Sequence, residues 1–328
     1  MGKKLNYELL KPFLEELPTK LNLHKGRRSL WPQFIYHSTE VHDAVSILNS
    51  GYVYSRKSAM DLGLLEYDIA SESVITLTRD EIKDYARFYF RPGTPTQYNN
   101  EGIRPMGKFG LDAHCPIPVY LLFDSLEVLS IETTRFSDGN LARFITNLVS
   151  SVEEFKGLPF ELIYHVGYYS KLEGDKITNC RNAEVVVPDR LSTDFLRSIY
   201  CRSEAEKETL LSLMPAEISN IWRDHITVDL LGHLFYKKWT FINNVRSDDS
   251  NIILYFSPET ETPGPFDVSI KLYDFDDKLI DSLNYVNIIC NEKRKFSFRG
   301  SYSEYLIKIF LDDNLCYQGY HINNDFTF

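Results

Sequence analysis

Glu184 stands at the head of an apolar strand, in Arg181-Asn182-Ala183-Glu184-Val185-Val186-Val187-Pro188-Asp189-Arg190. Three consecutive valines closed by a proline predict a short buried strand, because valine packs well on a pleated surface and proline cannot donate to a ladder. A carboxylate leading into such a strand costs free energy unless it is paired or used. Pairing would fall to Arg181 or Arg190, and use would be as a general base or a stabiliser of developing positive charge. His37 closes a second apolar stretch, Gln33-Phe34-Ile35-Tyr36-His37, directly before the hydroxyls of Ser38 and Thr39. By itself a histidine at a strand end is more often a hydrogen-bonded core residue than a ligand-binding one.

A third candidate is Arg87-Phe88-Tyr89-Phe90-Arg91-Pro92, which interleaves cations with aromatic rings. That pattern suits phosphate contact and base stacking along a single strand of nucleic acid, and alternation in a half-buried strand would produce it too. Thr94, Thr96, Gln97, Tyr98 and Asn99 add a polar, turn-rich lip. His114, Cys115 and His165 have no second ligand pair at metal-binding spacing, so no metal is expected. Neither G-x-G-x-x-G nor G-x-x-x-x-G-K-[ST] occurs, which argues against a Rossmann or P-loop nucleotide site.

The elements that must position these residues follow from periodicity. Residues 7–17 read as an amphipathic helix despite Pro12, residues 25–29 as a basic connector, and residues 33–37 as a strand. Ser38-Thr39 takes the cap position of a helix stopped by Gly51, and residues 52–55 form the next strand. If those two strands pair, His37 and Ser55 reach one cleft. Residues 57–84 suggest a mobile loop with a short helix, and residues 86–90 and 118–123 strands. Residues 140–155 suggest a helix, 162–166 a strand and 167–182 a functional loop. Ser203-Glu204-Ala205-Glu206 is a capping box opening a helix to Met214, and a second helical stretch covers residues 215–235. After Trp239 short strands at 251–256, 268–273, 285–290, 295–299 and 305–311 alternate with turn clusters, the texture of a β-sandwich.

Composition bounds the rest. With 328 residues, 43% hydrophobic and 14% aromatic, the chain can bury about two cores. No apolar run approaches the roughly 20 residues that span a bilayer, and no export leader follows Met1, so a cytoplasmic protein without membrane contact is expected. Five scattered cysteines suggest reduced thiols. The net charge of −10 argues against indiscriminate duplex binding. From Trp239 onward eight Lys and Arg face fourteen Asp and Glu, a net −6 that leaves −4 for the first 238 residues.

Four pieces taken together resemble one family: Tyr36-His37-Ser38-Thr39 with its helix to Gly51, Ala86 through Tyr98, residues 118–123, and Arg181 through Arg190. In content, order and spacing they are similar to the DarT toxins, ADP-ribosyltransferases that attach ADP-ribose from NAD to nucleobases. The resemblance covers residues 34–214. It implies an α+β fold, an ADP-ribosyltransferase-like split β-sheet core with helices, here followed by a C-terminal β-sandwich-like domain. The expected divisions are an N-terminal helical extension over residues 1–32, the transferase domain over 33–238 and the accessory domain over 239–328.

By the same resemblance Glu184 is the catalytic glutamate, taking a proton from the incoming base. His37, Ser38, Thr39, Ser55, Arg56 and Tyr98 would hold NAD as co-substrate. Arg87, Tyr89, Arg91, Thr96, Gln97, Asn99, His165 and Tyr169 would meet the nucleic acid. Residues 167–182 would be the substrate-recognition loop. The family's NAD-loop arginine has no unambiguous counterpart, since residues 61–73 hold no arginine, and Arg56, Arg79, Arg87 and Arg91 are the candidates to substitute for it. Expected partners are single-stranded nucleic acid and a cognate antitoxin or regulatory protein, the latter suggested by the acidic C-terminal domain, which the minimal family lacks. The leading expectation is a toxin or phage-defence effector acting on single-stranded DNA. The alternatives are the same transfer onto RNA, and a nucleic-acid-binding regulator that has lost catalysis.

Overall fold

The valine run after Glu184 does form a buried strand, and the strands beside it decide where the carboxylate points. The computed structural model describes residues 2–23, 26–66, 78–105 and 114–322. The first nine strands are β1 (Phe34–Glu40), β2 (Tyr52–Tyr54), β3 (Tyr85–Tyr89), β4 (Pro118–Asp124), β5 (Arg135–Ser137), β6 (Leu148–Val149), β7 (Glu184–Pro188), β8 (Arg190–Ser192) and β9 (Leu196–Cys201). Two compact units emerge: residues 1–39, 46–99 and 120–199 in one, residues 40–45, 100–119 and 200–328 in the other. The fold is α+β, with a large sheet in the first unit and antiparallel sheets near the C-terminus.

In the first unit the strands of the main sheet run β9-β4-β1-β3-β7-β5-β6, and β2 and β8 form a separate two-stranded sheet. β1, β3, β7, β5 and β6 are each antiparallel to the next. Tyr89 lies opposite Glu184, Phe88 opposite Val185 and Arg87 opposite Val186. Because side chains alternate along a strand, Arg87, Tyr89, Glu184 and Val186 share one face. Phe88 and Val185 share the other, where Phe136 of β5 pairs with Val185 and packs on Phe155 with ring centroids 4.7 Å apart. Phe160, Phe13 and Phe90 close around Phe155 at 5.3, 5.9 and 6.1 Å. This aromatic slab fixes β7 and therefore the side to which Glu184 turns.

Several expectations need correcting. β1 continues through Ser38 and Thr39, so these are strand residues ahead of the helix Val41–Ser50. β2 pairs with β8 and β1 with β3, so the pairing imagined between the strands of His37 and Ser55 does not form. Residues 140–155 are turns, β6 and a short helix, Val152–Lys156, opened by a Ser151/Glu154 capping box. No strand forms over the expected 162–166, whose first two residues end the helix Phe160–Ile163, and the expected loop 167–182 contains the helix Lys171–Cys180, with Ser170 as N-cap. The stretch 215–235 divides into the helix Ala216–Trp222, a 3-10 turn and a strand. Of residues 57–84, the helices Arg56–Asp61 and Asp80–Lys83 are seen, and 67–77 lie outside the described residues, as does Lys25 of the basic connector.

The second unit adds β10 (Ile226–Val228), β11 (Ile242–Ser247), β12 (Asn251–Phe256), β13 (Phe266–Tyr273), β14 (Leu279–Ile288), β15 (Lys293–Ser297), β16 (Glu304–Leu311) and β17 (Asn314–Ile322). β11-β12-β15 and β14-β13-β16-β17 are antiparallel sheets closing on one core, in which Ile252, Leu254, Ile270, Leu272, Ile307 and Ile309 are fully buried at alternating positions. Ile103 and Ala205 belong to that core, so chain outside the C-terminal strands completes it. All five cysteines are buried thiols. No helix among the described residues is long and apolar enough to cross a membrane.

A buried charge cluster sits in this unit. The Arg202 guanidinium, fully buried, donates through Nε to Glu206 at 3.0 Å and through Nη2 to the Pro116 carbonyl at 2.9 Å, with Glu101 at 3.7 Å. Burial, eased by Arg202 and aggravated by Glu101, pushes Glu206 up to about 7. A raised acid favours the folded state most below its ordinary value of 4.5, and that contribution is lost as pH rises through about 7. The unfolding free energy should therefore fall between pH 4.5 and about pH 7, with a slope of up to about 1.4 kcal/mol per pH unit, and level off above that. Urea titrations of Glu206→Gln should show that slope flattened, and an unchanged slope would contradict the assignment.

Candidate active site

Burying a carboxylate at the first residue of β7 requires a cation on the neighbouring strand, and the register supplies one. Arg87 is diagonal to Glu184 on the shared face of β3 and β7. Its Nε donates to Glu184 Oε2 at 2.6 Å and its Nη2 to Oε1 at 2.8 Å, a bidentate pair. The Leu141 amide donates to Oε1 at 3.0 Å. Glu184 is 1% exposed, whereas Arg87 is 31% exposed and forms the solvent side of the pair. A carboxylate offers about four acceptor positions, so these three donors leave one open on Oε2. Burial works against the Arg87 charge, but the Glu184 carboxylate outweighs it and holds the guanidinium above its ordinary value.

The backbone of Glu184 is pinned as well. Its N–H donates to Ser137 Oγ at 2.8 Å, and that hydroxyl donates to the Gly139 carbonyl at 2.7 Å. The turn after Ser137 is held by Asn179, whose Oδ1 accepts from the Asn140 amide at 3.3 Å. Asn182, two residues ahead of Glu184, accepts through Oδ1 from Thr96 N–H at 3.2 Å and Thr96 Oγ1 at 3.0 Å. Arg181, one of the two expected partners of Glu184, donates instead to the Gly93 carbonyl at 3.1 Å. Two segments distant in sequence are thus tied to the strand that carries the carboxylate.

His37 enters through the same arginine. Its Nδ1 lies 2.9 Å from the Arg87 carbonyl oxygen, which can only accept, so Nδ1 carries the proton and Nε2 is an acceptor. Burial lowers the His37 pKa, partly opposed by that hydrogen bond, and leaves a neutral imidazole at pH 7. The ring packs on Phe88 at 5.6 Å. Tyr89, directly across from Glu184, has its phenol pushed up to about 12 by burial and by the Glu184 charge, and hydrogen-bonds Thr96. It therefore stays protonated.

The other expected residues fall into distinct settings. Ser38 is half-buried and Thr39 buried on β1. Ser55 is buried as N-cap of the helix Arg56–Asp61, accepting from Ser58 N–H at 3.1 Å, with Arg56 half-buried beside it. Gln97 is a brace, accepting from Gly93 N–H at 2.7 Å and from the Tyr120 hydroxyl. Tyr98 is half-buried and Asn99 exposed on the same short helix, Pro95–Asn100. Arg91 is buried against Trp31, with its Nη1 directed at the carbonyls of Ile163 and His165. The Tyr169 ring meets His165 edge-on at 5.8 Å, and its hydroxyl lies 3.5 Å from Thr178 Oγ1. Among the described residues no group of three metal-ligating side chains converges.

Ser137, Gly139, Leu141, Asn179 and Asn182 are the site residues that inspection of the sequence missed. The turn signature Ser137-Asp138-Gly139-Asn140 was the available signal. A Cβ at Gly139 would sit 2.1 Å from Asn179 Nδ2, so Gly139→Ala should displace that carboxamide and cost about 1–3 kcal/mol. An unfolding midpoint and a Leu141 amide resonance equal to wild type would contradict this. For His37, 15N-detected NMR across pH 6 to 8 should show a protonated Nδ1 and a bare Nε2. A titration midpoint above the ordinary 6.5 would be the opposite result.

A family model described as "DarT: ssDNA thymidine ADP-ribosyltransferase, DarT" matches residues 36–236. Among solved structures, the Thermus sp. 2.9 DarT complex with NAD+ is similar at 17% identity, with 62% of this chain and 98% of that chain covered and a TM-score of 0.47. The same protein with ADP-ribosylated ssDNA gives 17% identity, 62% and 97% coverage and a TM-score of 0.49. Thermosipho africanus DarTG with ADP-ribose gives 15%, 66% and 53%, and 0.43. A search of curated proteins finds no match. The matched region contains β1, β3 and β7 with His37, Arg87 and Glu184, and this chain belongs to the DarT family of ssDNA thymidine ADP-ribosyltransferases.

Proposed function

We propose that this protein transfers ADP-ribose from NAD to a base of single-stranded DNA, with Glu184 as the general base. The observation that carries the reading is a buried carboxylate, paired with Arg87, whose donors leave one acceptor position open on Oε2. Thymine attached to its sugar keeps a single ring N–H, and the family description makes thymidine the favoured target. In the proposed step the bond from ribose to nicotinamide breaks and nicotinamide leaves with the bonding electrons. The base nitrogen forms the new bond to the same ribose carbon, and its proton passes to Glu184 Oε2. The carboxylate also stabilises positive charge developing on the ribose.

His37, Ser38 and Thr39 are assigned to the nicotinamide and ribose end of NAD, and Ser55, Arg56 and Tyr98 to the rest of that co-substrate. The neutral His37 offers an acceptor at Nε2 for a ribose hydroxyl or an amide N–H. Tyr89, Tyr169 and the fully exposed Tyr168 are assigned to the strand, since a base must leave a duplex stack to be modified and aromatic rings receive it. The biological role proposed is that of a toxin, because ADP-ribose on a pairing edge blocks templating. The acidic C-terminal unit suits contact with a protein that restrains it.

Wild-type protein given NAD labelled in its ADP-ribose half should label single-stranded DNA and leave the matching duplex unlabelled. Glu184→Gln should lower the rate by about 10²- to 10⁴-fold. Label appearing only on RNA, or on DNA at an undiminished rate with Glu184→Gln, would overturn the reading.

A further inference from the structure

In the sequence Arg87 is one cation among aromatics, expected to meet nucleic acid or to stand in for the family's NAD-loop arginine, yet its side chain defines the geometry of the carboxylate. We infer that Arg87 is a positioning residue for Glu184: it keeps a buried base ionised and turns its free acceptor position toward the substrate. The inference rests on the reading of Glu184 as the base.

Three observations carry it. The guanidinium spans both carboxylate oxygens at 2.6 and 2.8 Å, so it fixes the rotation of the carboxylate as well as its charge, which a point-charge ammonium would not. The Leu141 amide takes Oε1 again, so the one acceptor position left belongs to Oε2. Arg87 itself cannot drift, because β3 is paired on both sides, to β7 through Tyr85–Tyr89 and to β1 through Tyr89, and its carbonyl holds His37 Nδ1 at 2.9 Å. One residue thus orients the proposed base with its side chain and the proposed NAD-binding histidine with its backbone. Without the cation, a carboxylate that is 1% exposed would take up a proton far more readily and cease to be a base.

The test compares wild type, Arg87→Met and Arg87→Lys in ADP-ribose transfer from NAD to a single-stranded thymine-containing oligonucleotide, between pH 5 and pH 9. Arg87→Met should lower kcat by about 10- to 100-fold, with KM for NAD and for the oligonucleotide within about twofold, and should raise the acid limb of the kcat profile by about 1–3 pH units. Arg87→Lys should return the limb part of the way, since it restores charge without the fork, and it alone carries the test if Arg87→Met does not fold. An unmoved limb would reduce Arg87 to a structural role. A rise in KM alone would make it a substrate contact, and a gain in kcat would make it a cap that must leave; each overturns the inference. Glu184→Gln separates the two levels: an active Glu184→Gln overturns the base assignment, whereas an inactive one with an unmoved Arg87→Met limb overturns only the role of Arg87.

Discussion

The ion pair between Arg87 and Glu184 is the constraint around which the first unit is arranged. A carboxylate at 1% exposure is sustainable only if its charge is matched and its oxygens are hydrogen-bonded, and β3 and the turn after Ser137 meet both needs. The pair needs β3 and β7 in one register, because a slip of one residue would put Arg87 and Glu184 on opposite faces. That register is held on the far face by Val185, Phe136 and the Phe155 aromatic slab, and along the chain by the Asn182 bonds to Thr96.

Much of this chemistry follows from where the apolar surface goes. Valines on β7 supply the packing that makes Glu184 expensive, and the expense makes its partner obligatory. The arrangement is a strand whose burial forces one charge to be positioned. His37 depends on it too, since its proton location follows from a backbone carbonyl of Arg87.

Glu184, its strand and the C-terminal sandwich were legible because β-branched runs, alternation and Pro or Gly punctuation are local signals. The partner of Glu184 was not: the nearest cations are Arg181 and Arg190, while the actual one lies 97 residues away and is brought in by strand pairing alone. Residues 140–155 misled because Leu141, Phe144, Ile145 and Leu148 recur at helical spacing. In the fold Leu141 and Leu148 pack around Val186 while Phe144 and Ile145 stay exposed, and the turn at Asp138-Gly139 prevails. Residues 162–166 were too short an apolar run to separate helix from strand, and the helix N-capped by Ser170 was hidden in a segment read as a loop.

The central claim is that the buried Glu184 and the part-exposed Arg87 act as one coupled pair, and a double-mutant cycle measures it directly. Arg87→Met, Glu184→Gln and the double variant would be compared with wild type in chemical unfolding. The account predicts that Arg87→Met alone costs about 3–5 kcal/mol by stranding a buried charge, and that the double variant costs less than the two single changes together, with a coupling of about 1–3 kcal/mol. Strictly additive effects would contradict it.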